Sequence, residues 1–316
     1  MAVRSMKFGS LVALLFLAAA PGYSVTIQYL GGFGTGSGNF TGVANLSGCS
    51  GALLADGMHV LTAAHCAATI SVDSLNQTVL TPNIPSLSFF TPTDPNGIAD
   101  AVTGVHFNPL TRLWFPTDLA NSGLMYDLAI LDLAAPAPAD ATRYNLDLSG
   151  FAIAHNSPVV MAGWGLGGFP GGDIGGTGGT RRGGTNTVAG IITEEFDPFL
   201  PGDPHVTLTD NPIALQWTTT SDTNNPNNTL GLSNAGDSGG PLLYNGNLIG
   251  ITNFGNVPRG GILPIGPTYT DGYANLADPG NADWLNAELE APEPGTWMLA
   301  ASGALLAVLR RRASRR

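Results

Sequence analysis

The stretch GDSGGP, which runs from Gly236 to Pro241, carries more information about the fold than any other part of the chain. Its three glycines add almost no side-chain bulk, so the backbone can turn tightly around Ser238. Such a turn lets the N–H groups of Gly236 and Ser238 converge on one point beside the serine hydroxyl. Read by itself, however, the stretch is also compatible with an ordinary glycine-rich loop.

Two other segments supply the partners that a reactive serine needs. They are HVLTAAHC, which contains His65, and YDLAIL, which contains Asp127. A hydroxyl is a poor nucleophile until a base accepts its proton, and the near-neutral pKa of histidine suits that task. A buried carboxylate then fixes the imidazole tautomer and stabilises its charged form. Each segment alone reads as a turn or a strand end, but the ordered set His65, Asp127 and Ser238 predicts a catalytic triad.

These motifs resemble those of the trypsin/chymotrypsin family. TAAHC (62–66) is similar to the segment around the family's catalytic histidine, DLAIL (127–131) to that around its aspartate, and DSGGP (237–241) to that around its serine. Further segments that follow the family's order are AGWG (162–165), LIGITNFG (248–255), and YANL (273–276) with Trp284 after it.

The resemblance implies an all-β fold of two six-stranded antiparallel β-barrels with a short C-terminal helix. It covers residues 25–290, with the barrels at roughly 25–140 and 141–290 and the triad at their junction. Short apolar stretches between turn residues independently favour an all-β chain. Asp278-Pro279 predicts the start of a short helix that carries Trp284, Leu285 and Leu289 on one side. The glycine-rich segment 163–184 is predicted to be a long mobile loop.

The implied activity is that of a monomeric serine endopeptidase acting on protein or peptide substrates, without a metal or another cofactor. In the family, Gly236 and Ser238 would form the oxyanion hole, and Cys49 and Cys66 would form a disulfide beside the catalytic histidine. A free N-terminus at Val25 would pair with Asp237 after cleavage behind Ser24; cleavage after Ala20 is the competing possibility. A binding module that uses the fold without catalysis is the alternative function.

The resemblance predicts four substrate-binding residues, of which Leu232 and Asn253 depart from the family's pattern, whereas Gly255 keeps the pocket mouth open. They are Leu232, Asn253, Phe254 and Gly255. Leu232 stands where trypsins carry an aspartate, which favours an apolar or small side chain at the cleavage site, although Asp271 lies near the same pocket. Asn253 replaces a usual serine. Asn234 stands where the family has a cysteine, so the second barrel lacks that disulfide.

Both ends of the chain carry transport signals. Residues 1–24 read as a secretory signal peptide, with Arg4 and Lys7 before a short apolar run. Residues 291–316 contain a proline–glutamate–proline motif, an apolar run and an arginine cluster, and they resemble the PEP-CTERM sorting signal of bacterial exported proteins. That resemblance implies removal by an exosortase, transient contact with the inner membrane and a final location at the cell surface or outside it. A plain membrane anchor is the alternative. The motif residues are Pro292, Glu293 and Pro294.

The charge balance excludes nucleic acid as a partner. The chain has 12 basic and 23 acidic residues, but two of the basic residues lie in residues 1–24 and five in residues 291–316. The body between them keeps five basic residues against 22 acidic ones. Binding to a phosphate backbone needs a basic face, which this composition does not provide. The remaining histidines show no ligand spacing and are interpreted as structural or surface residues; they are His59, His106, His155 and His205.

Overall fold

A computed structural model gives the fold of the chain. It describes residues 40–74, 77–114, 123–150, 154, 156–166, 168–169, 172–173, 178–191, 194–196, 208–218, 233–259 and 268–290. The predicted signal peptide and the predicted sorting segment lie outside these residues. So do Val25, Leu232, Pro292, Glu293 and Pro294, and their predicted roles stay predictions.

The first barrel is a closed sheet of six antiparallel strands, in the order β1-β2-β3-β10-β7-β6. It closes where Asn45 of the first strand pairs with Ser88 of the sixth. The strands are β1 (Val43–Asn45), β2 (Ser50–Leu53), β3 (His59–Thr62), β6 (Ser86–Phe89), β7 (Ile98–Phe107) and β10 (Ala129–Leu133).

The second barrel repeats this architecture with the strand order β11-β14-β17-β20-β19-β18. It closes where β11 pairs with β18. The strands are β11 (Pro158–Gly163), β14 (Arg182–Ile191), β17 (Ile213–Thr218), β18 (Pro241–Tyr244), β19 (Asn247–Arg259) and β20 (Thr268–Asn275). The two closed barrels confirm the predicted fold class.

Four two-stranded sheets and two helices complete the described elements. The paired strands are β4 (Ala68–Val72) with β5 (Thr78–Pro82), β8 (Arg112–Trp114) with β9 (Gly123–Met125), β12 (Gly168–Phe169) with β13 (Gly172–Asp173), and β15 (Glu194–Phe196) with β16 (Leu208–Asp210). The helices are α1 (Ala64–Ala67) and α2 (Pro279–Glu290). Within the described ranges, neither helix is long and apolar enough to cross a membrane.

The glycine-rich segment 163–184 is not one continuous loop as predicted. It contains the strands β12 and β13, and its end from Arg182 onward belongs to β14. Gly183 shows why glycine is used inside that barrel strand: a Cβ there would lie 2.3 Å from the ring of Phe40. Composition alone suggested a loop, whereas the close approach of a distant aromatic ring also requires glycine.

Strand alternation divides the apolar side chains between the barrel interiors and the space between them. In β3, Val60 packs inside the first barrel, whereas the next residue, Leu61, packs in the cluster shared by both barrels. In β10, Ile130 packs in the shared cluster, whereas Leu131 packs inside the first barrel. Successive side chains of a strand point to opposite faces, so one short strand serves two cores.

Helix α2 completes the shared cluster at the predicted place. Asp278 caps the start of α2 as predicted, because its Oδ1 atom accepts the N–H of Gly280 at 3.0 Å. Trp284 and Leu285 are buried in the cluster between the barrels, and Leu289 packs against it. Burying such a side chain contributes about 1.5–3 kcal/mol. The helix therefore joins the two barrels through its apolar side.

Truncating Leu285 is expected to weaken the whole domain. Leu285→Ala leaves a cavity in the shared cluster and should lower the free energy of unfolding by roughly 2–5 kcal/mol. Asn286→Ala, at an exposed position of the same helix, is the matched control and should change little. Urea unfolding followed by tryptophan fluorescence measures both, and equal effects would contradict the proposed packing of α2.

Candidate active site

Strand pairing brings the segments of His65 and Asp127 together. Thr62, at the end of β3, pairs with Ala129, at the start of β10. His65 follows Thr62 by three residues on the short helix α1, and Asp127 precedes Ala129 by two residues. The antiparallel register therefore places both side chains at the same end of the first barrel.

His65 and Asp127 are held by two hydrogen bonds. The Nδ1 atom of His65 lies 2.6 Å from Oδ2 of Asp127, and the backbone N–H of His65 donates to Oδ1 at 2.9 Å. Asp127 is completely buried, whereas the side chain of His65 is 30% exposed. Because the carboxylate accepts at Nδ1, the proton of a neutral imidazole is placed there. This leaves Nε2 of His65 as the basic nitrogen.

The environment of His65 acts on its pKa in two directions. Burial disfavours the charged imidazole and lowers the pKa. The negative charge of Asp127 and the hydrogen bond to it favour the charged form, and together they raise the pKa of His65 above its usual value. The buried carboxylate thus stabilises an imidazolium ion at this position.

The residue before Asp127 has an unusual backbone. Tyr126 has φ of 49°, a left-handed conformation that is uncommon outside glycine. Its carbonyl accepts the hydroxyl of Thr111 at 2.7 Å, and its ring lies so close to Gly280 that a Cβ there would come within 2.6 Å. Contacts from a loop and from α2 hold this conformation. No sequence motif marks Tyr126 for this role.

The turn around Ser238 is held mainly by its carbonyl groups. The Ser238 carbonyl accepts the N–H of Ser50 at 2.7 Å, while Gly239 donates to Thr252 at 2.8 Å. Gly236 has φ of +94°, a conformation that strongly favours glycine. Among the described residues, the N–H groups of Gly236 and Ser238 have no hydrogen-bond acceptor. Both donors are therefore available on a half-buried turn.

Gly239 presses this turn against the first barrel. Its φ is +81°, and a Cβ there would lie 2.1 Å from both the Ser50 carbonyl oxygen and Oγ1 of Thr62. Thr62 ends the strand that leads to His65. The glycine thus permits a backbone contact between the Ser238 turn and the His65 segment.

Asp237 points away from solvent and receives two backbone donors. It is 2% exposed. Its Oδ1 accepts the N–H of Gly165 at 2.8 Å, and its Oδ2 accepts that of Asn234 at 2.9 Å. Gly165 has no room for a side chain, since a Cβ would lie 2.6 Å from the Asp237 carboxylate. A buried carboxylate is thus present where the pairing with Val25 is predicted.

Cys49 and Cys66 form the predicted disulfide, with a Cα–Cα distance of 5.9 Å. The bond fixes the residue next to His65 to the loop before β2. Among the described residues, Cys49, His65 and Cys66 are also the only group of three side chains close enough to bind a metal. Because both sulfur atoms are bonded to each other, neither can act as a thiolate ligand. The donor set does not fit a metal site.

The predicted substrate-binding strand makes contacts within the protein. Asn253 is 9% exposed, and its Nδ2 donates to the Leu124 carbonyl at 3.0 Å. The Phe254 ring lies against Gly272, where a Cβ would come within 2.1 Å of it. Gly255 lies in the same strand, β19. Contact of Asn253, Phe254 and Gly255 with a substrate stays a prediction.

A second buried carboxylate accepts a hydrogen bond from the segment that leads to Ser238. Asp271 of β20 is fully buried, and its Oδ2 accepts the N–H of Ser233. Burial, followed by the charges of Asp271 and Asp237, raises the pKa of Tyr273 well above its usual value. The sequence placed Asp271 only near the predicted pocket, whereas the structure bonds it to Ser233, in the segment that leads to the serine.

Comparisons with known proteins agree with this fold. A family model described as Trypsin matches residues 205–276, which include Ser238 but neither His65 nor Asp127. An atomic-resolution structure of HBP is 18% identical, with a TM-score of 0.51, and a mutant of human heparin binding protein is 20% identical, with a TM-score of 0.51. Each match covers 84% of this chain and 98% of the other. No curated protein matches the chain. The chain thus shares the trypsin-like fold.

The pKa of His65 is expected to depend on Asp127. By NMR titration of the imidazole, the pKa should lie above about 6.5 in the wild type and fall in Asp127→Asn, because burial remains while the charge is lost. The raised pKa also contributes stability that is fully present below the unfolded pKa and is lost as pH rises through the folded pKa. His65→Gln serves to assign the signal. An unchanged midpoint in Asp127→Asn would contradict the assigned cause.

Proposed function

We propose that this chain is a serine endopeptidase that cleaves protein or peptide substrates through an acyl-enzyme. The observation that carries the proposal is the pairing of a fully buried Asp127 with His65 at the barrel junction. The Ser238 turn packs on the strand that leads to this histidine, with two backbone donors unengaged among the described residues. A serine, a base with a fixed tautomer and an anion site are the parts that acyl transfer requires.

The reaction follows from the roles of these groups. Nε2 of His65 takes the proton of Ser238 as Oγ attacks the substrate carbonyl, and the C=O electrons move to the oxygen. The N–H groups of Gly236 and Ser238 stabilise that oxyanion; one such donor typically contributes ~3–4 kcal/mol to catalysis. The imidazolium then protonates the leaving amine, and the C–N bond breaks. Water then attacks the acyl carbonyl as His65 takes its proton, the bond from the acyl carbon to Oγ breaks, and the imidazolium returns the proton to Ser238.

The same proposal includes export and processing. Removal of residues 1–24 would expose an ammonium group at Val25, and the buried Asp237 carboxylate offers it a counter-charge. The C-terminal segment would hold the chain at the inner membrane until an exosortase-type enzyme removes it at Pro292, Glu293 and Pro294. The protease would then act at the cell surface or outside the cell.

Heparin binding is not carried over from the structural relatives. Heparin is a polyanion, and its binding needs clustered basic side chains. The body of this chain has five basic residues against 22 acidic ones. This negative charge would repel heparin. The structural similarity to heparin binding protein therefore supports a shared fold but not a shared ligand.

A fluorophosphonate probe is expected to label the processed protein at Ser238. Labelling requires an activated hydroxyl and a formed oxyanion site, so it should be abolished in Ser238→Ala. Ser86→Ala, which removes an exposed hydroxyl in β6, is the matched control and should label like the wild type. Gel fluorescence and peptide mass spectrometry measure the result. Equal labelling of wild type and Ser238→Ala would contradict the assignment of the nucleophile.

The mature N-terminus is expected to be Val25. Mass spectrometry of the secreted protein should find a terminal peptide that begins there. Val25→Gly should then lower the labelling rate, because a smaller first residue buries less apolar surface beside Asp237. A mature protein that begins at Pro21 would contradict the activation pairing while leaving the triad untouched.

A further inference from the structure

Ser50 is a buried residue of the first barrel whose polar groups are all engaged at the active-site junction. It begins β2, directly after Cys49, and has no exposed surface. Its N–H donates to the Ser238 carbonyl at 2.7 Å, and its Oγ donates to the Gly236 carbonyl at 3.0 Å. Its own carbonyl accepts the hydroxyl of Thr62 at 2.7 Å. One residue of the first barrel thus binds two carbonyls of the serine turn.

The orientation of the Ser50 hydroxyl is determined by a third partner. The backbone N–H of Trp164 donates to Oγ at 2.9 Å. A hydroxyl has one proton, so with Trp164 as donor that proton is directed to the Gly236 carbonyl. The neighbouring Gly165 donates to the side chain of Asp237 at 2.8 Å. The hydroxyl therefore joins β2, the 164–165 segment and the serine turn.

We propose that the Ser50 hydroxyl is a positioning group that holds the oxyanion donors of the proposed protease in place. The hydroxyl fixes the Gly236 carbonyl and with it the peptide plane between residues 236 and 237, while the Ser50 N–H fixes the Ser238 carbonyl and the plane between 238 and 239. These planes lie on either side of the one that carries the Ser238 N–H. Glycine at 236 would otherwise let this backbone rotate.

The inference rests on the proposed function and adds a residue that the triad does not contain. The Ser50 hydroxyl bonds to the Gly236 carbonyl and the Trp164 N–H, so it acts on the oxyanion donors through the backbone of Gly236. Because an oxyanion forms only during acyl transfer, misplaced donors should slow the chemical step and leave substrate binding nearly unchanged. Loss of the hydroxyl also leaves the half-buried Gly236 carbonyl and the buried Trp164 N–H without this partner.

The test compares Ser50→Ala and Ser50→Gly with a matched control. The control is Thr41→Val, because Thr41 is also buried and makes the same kinds of hydrogen bond. Its hydroxyl accepts the N–H of Thr142 and donates to the carbonyl of Asp140. Each variant is first checked for folding by thermal unfolding. Its fluorophosphonate labelling rate and its kcat and KM for p-nitrophenyl acetate are then measured at a temperature where it is folded.

Both Ser50 variants should lose roughly 10- to 100-fold in kcat and in labelling rate, up to the loss caused by removing one oxyanion donor. KM and the pH midpoint of the rate should stay unchanged, because His65 is not altered. Thr41→Val should lose stability but keep its rate. The proposal would be overturned if either folded Ser50 variant kept the kcat and labelling rate of the wild type. It would also be overturned if the loss of rate followed the loss of thermal stability in all three variants.

Hydrogen exchange tests the inference even without turnover. Peptides that cover residues 233–241 should exchange faster in Ser50→Ala than in Thr41→Val, since the turn has lost an anchor. Unchanged exchange there would overturn the role of Ser50. The wild-type protein could neither react with the fluorophosphonate probe nor hydrolyse p-nitrophenyl acetate, while peptides 233–241 still exchange faster in Ser50→Ala. That outcome would overturn the proposed protease but not the anchoring of the turn by Ser50.

Discussion

The burial of the Asp127 carboxylate is the constraint on which the junction between the barrels depends. Its side chain has no exposed surface, and an unpaired charge there would cost several kcal/mol. The backbone and ring nitrogens of His65 supply the donors that make this burial tolerable. Helix α1 therefore cannot leave β10 without exposing an uncompensated charge. On the other side, Gly280 of α2 packs against the ring of Tyr126, the residue before Asp127.

Directional bonds between the barrels add precision that apolar packing alone does not provide. The shared cluster of apolar side chains is large, but hydrophobic attraction has no preferred angle. Ser50 bonds to the Ser238 turn, the Trp164 indole donates to the Val43 carbonyl at 2.9 Å, and Asn253 donates to Leu124. Each bond joins residues more than a hundred positions apart. Together they keep the histidine side and the serine side of the site in a constant relation.

The region around Asp237 and Asp271 departs from the ordinary chemistry of a protein core. Both carboxylates are buried, and burial of the Tyr273 hydroxyl, followed by the charges of Asp271 and Asp237, raises the pKa of that hydroxyl. The Nδ2 atom of Asn234 is buried without a hydrogen-bond partner among the described residues. Asn234 occupies the place where the resembling family has a cysteine, so hydrogen bonds and packing must hold this segment. Such local departures from core rules are typical of functional sites.

The sequence by itself determined the features that depend on neighbouring residues. The motifs around His65, Asp127 and Ser238, the pattern of short strands and the Asp278 cap were readable because local geometry restricts which residue types fit. The Cys49–Cys66 bond also followed from the resemblance that these motifs carry. The sequence did not indicate Ser50 as a bridge, the left-handed backbone of Tyr126, the bond from Asn253 to Leu124, or the placement of Gly183 against Phe40. Only the tertiary structure decided these, because each partner comes from a distant segment. A serine, a tyrosine or a glycine carries no local mark of the residue it will meet.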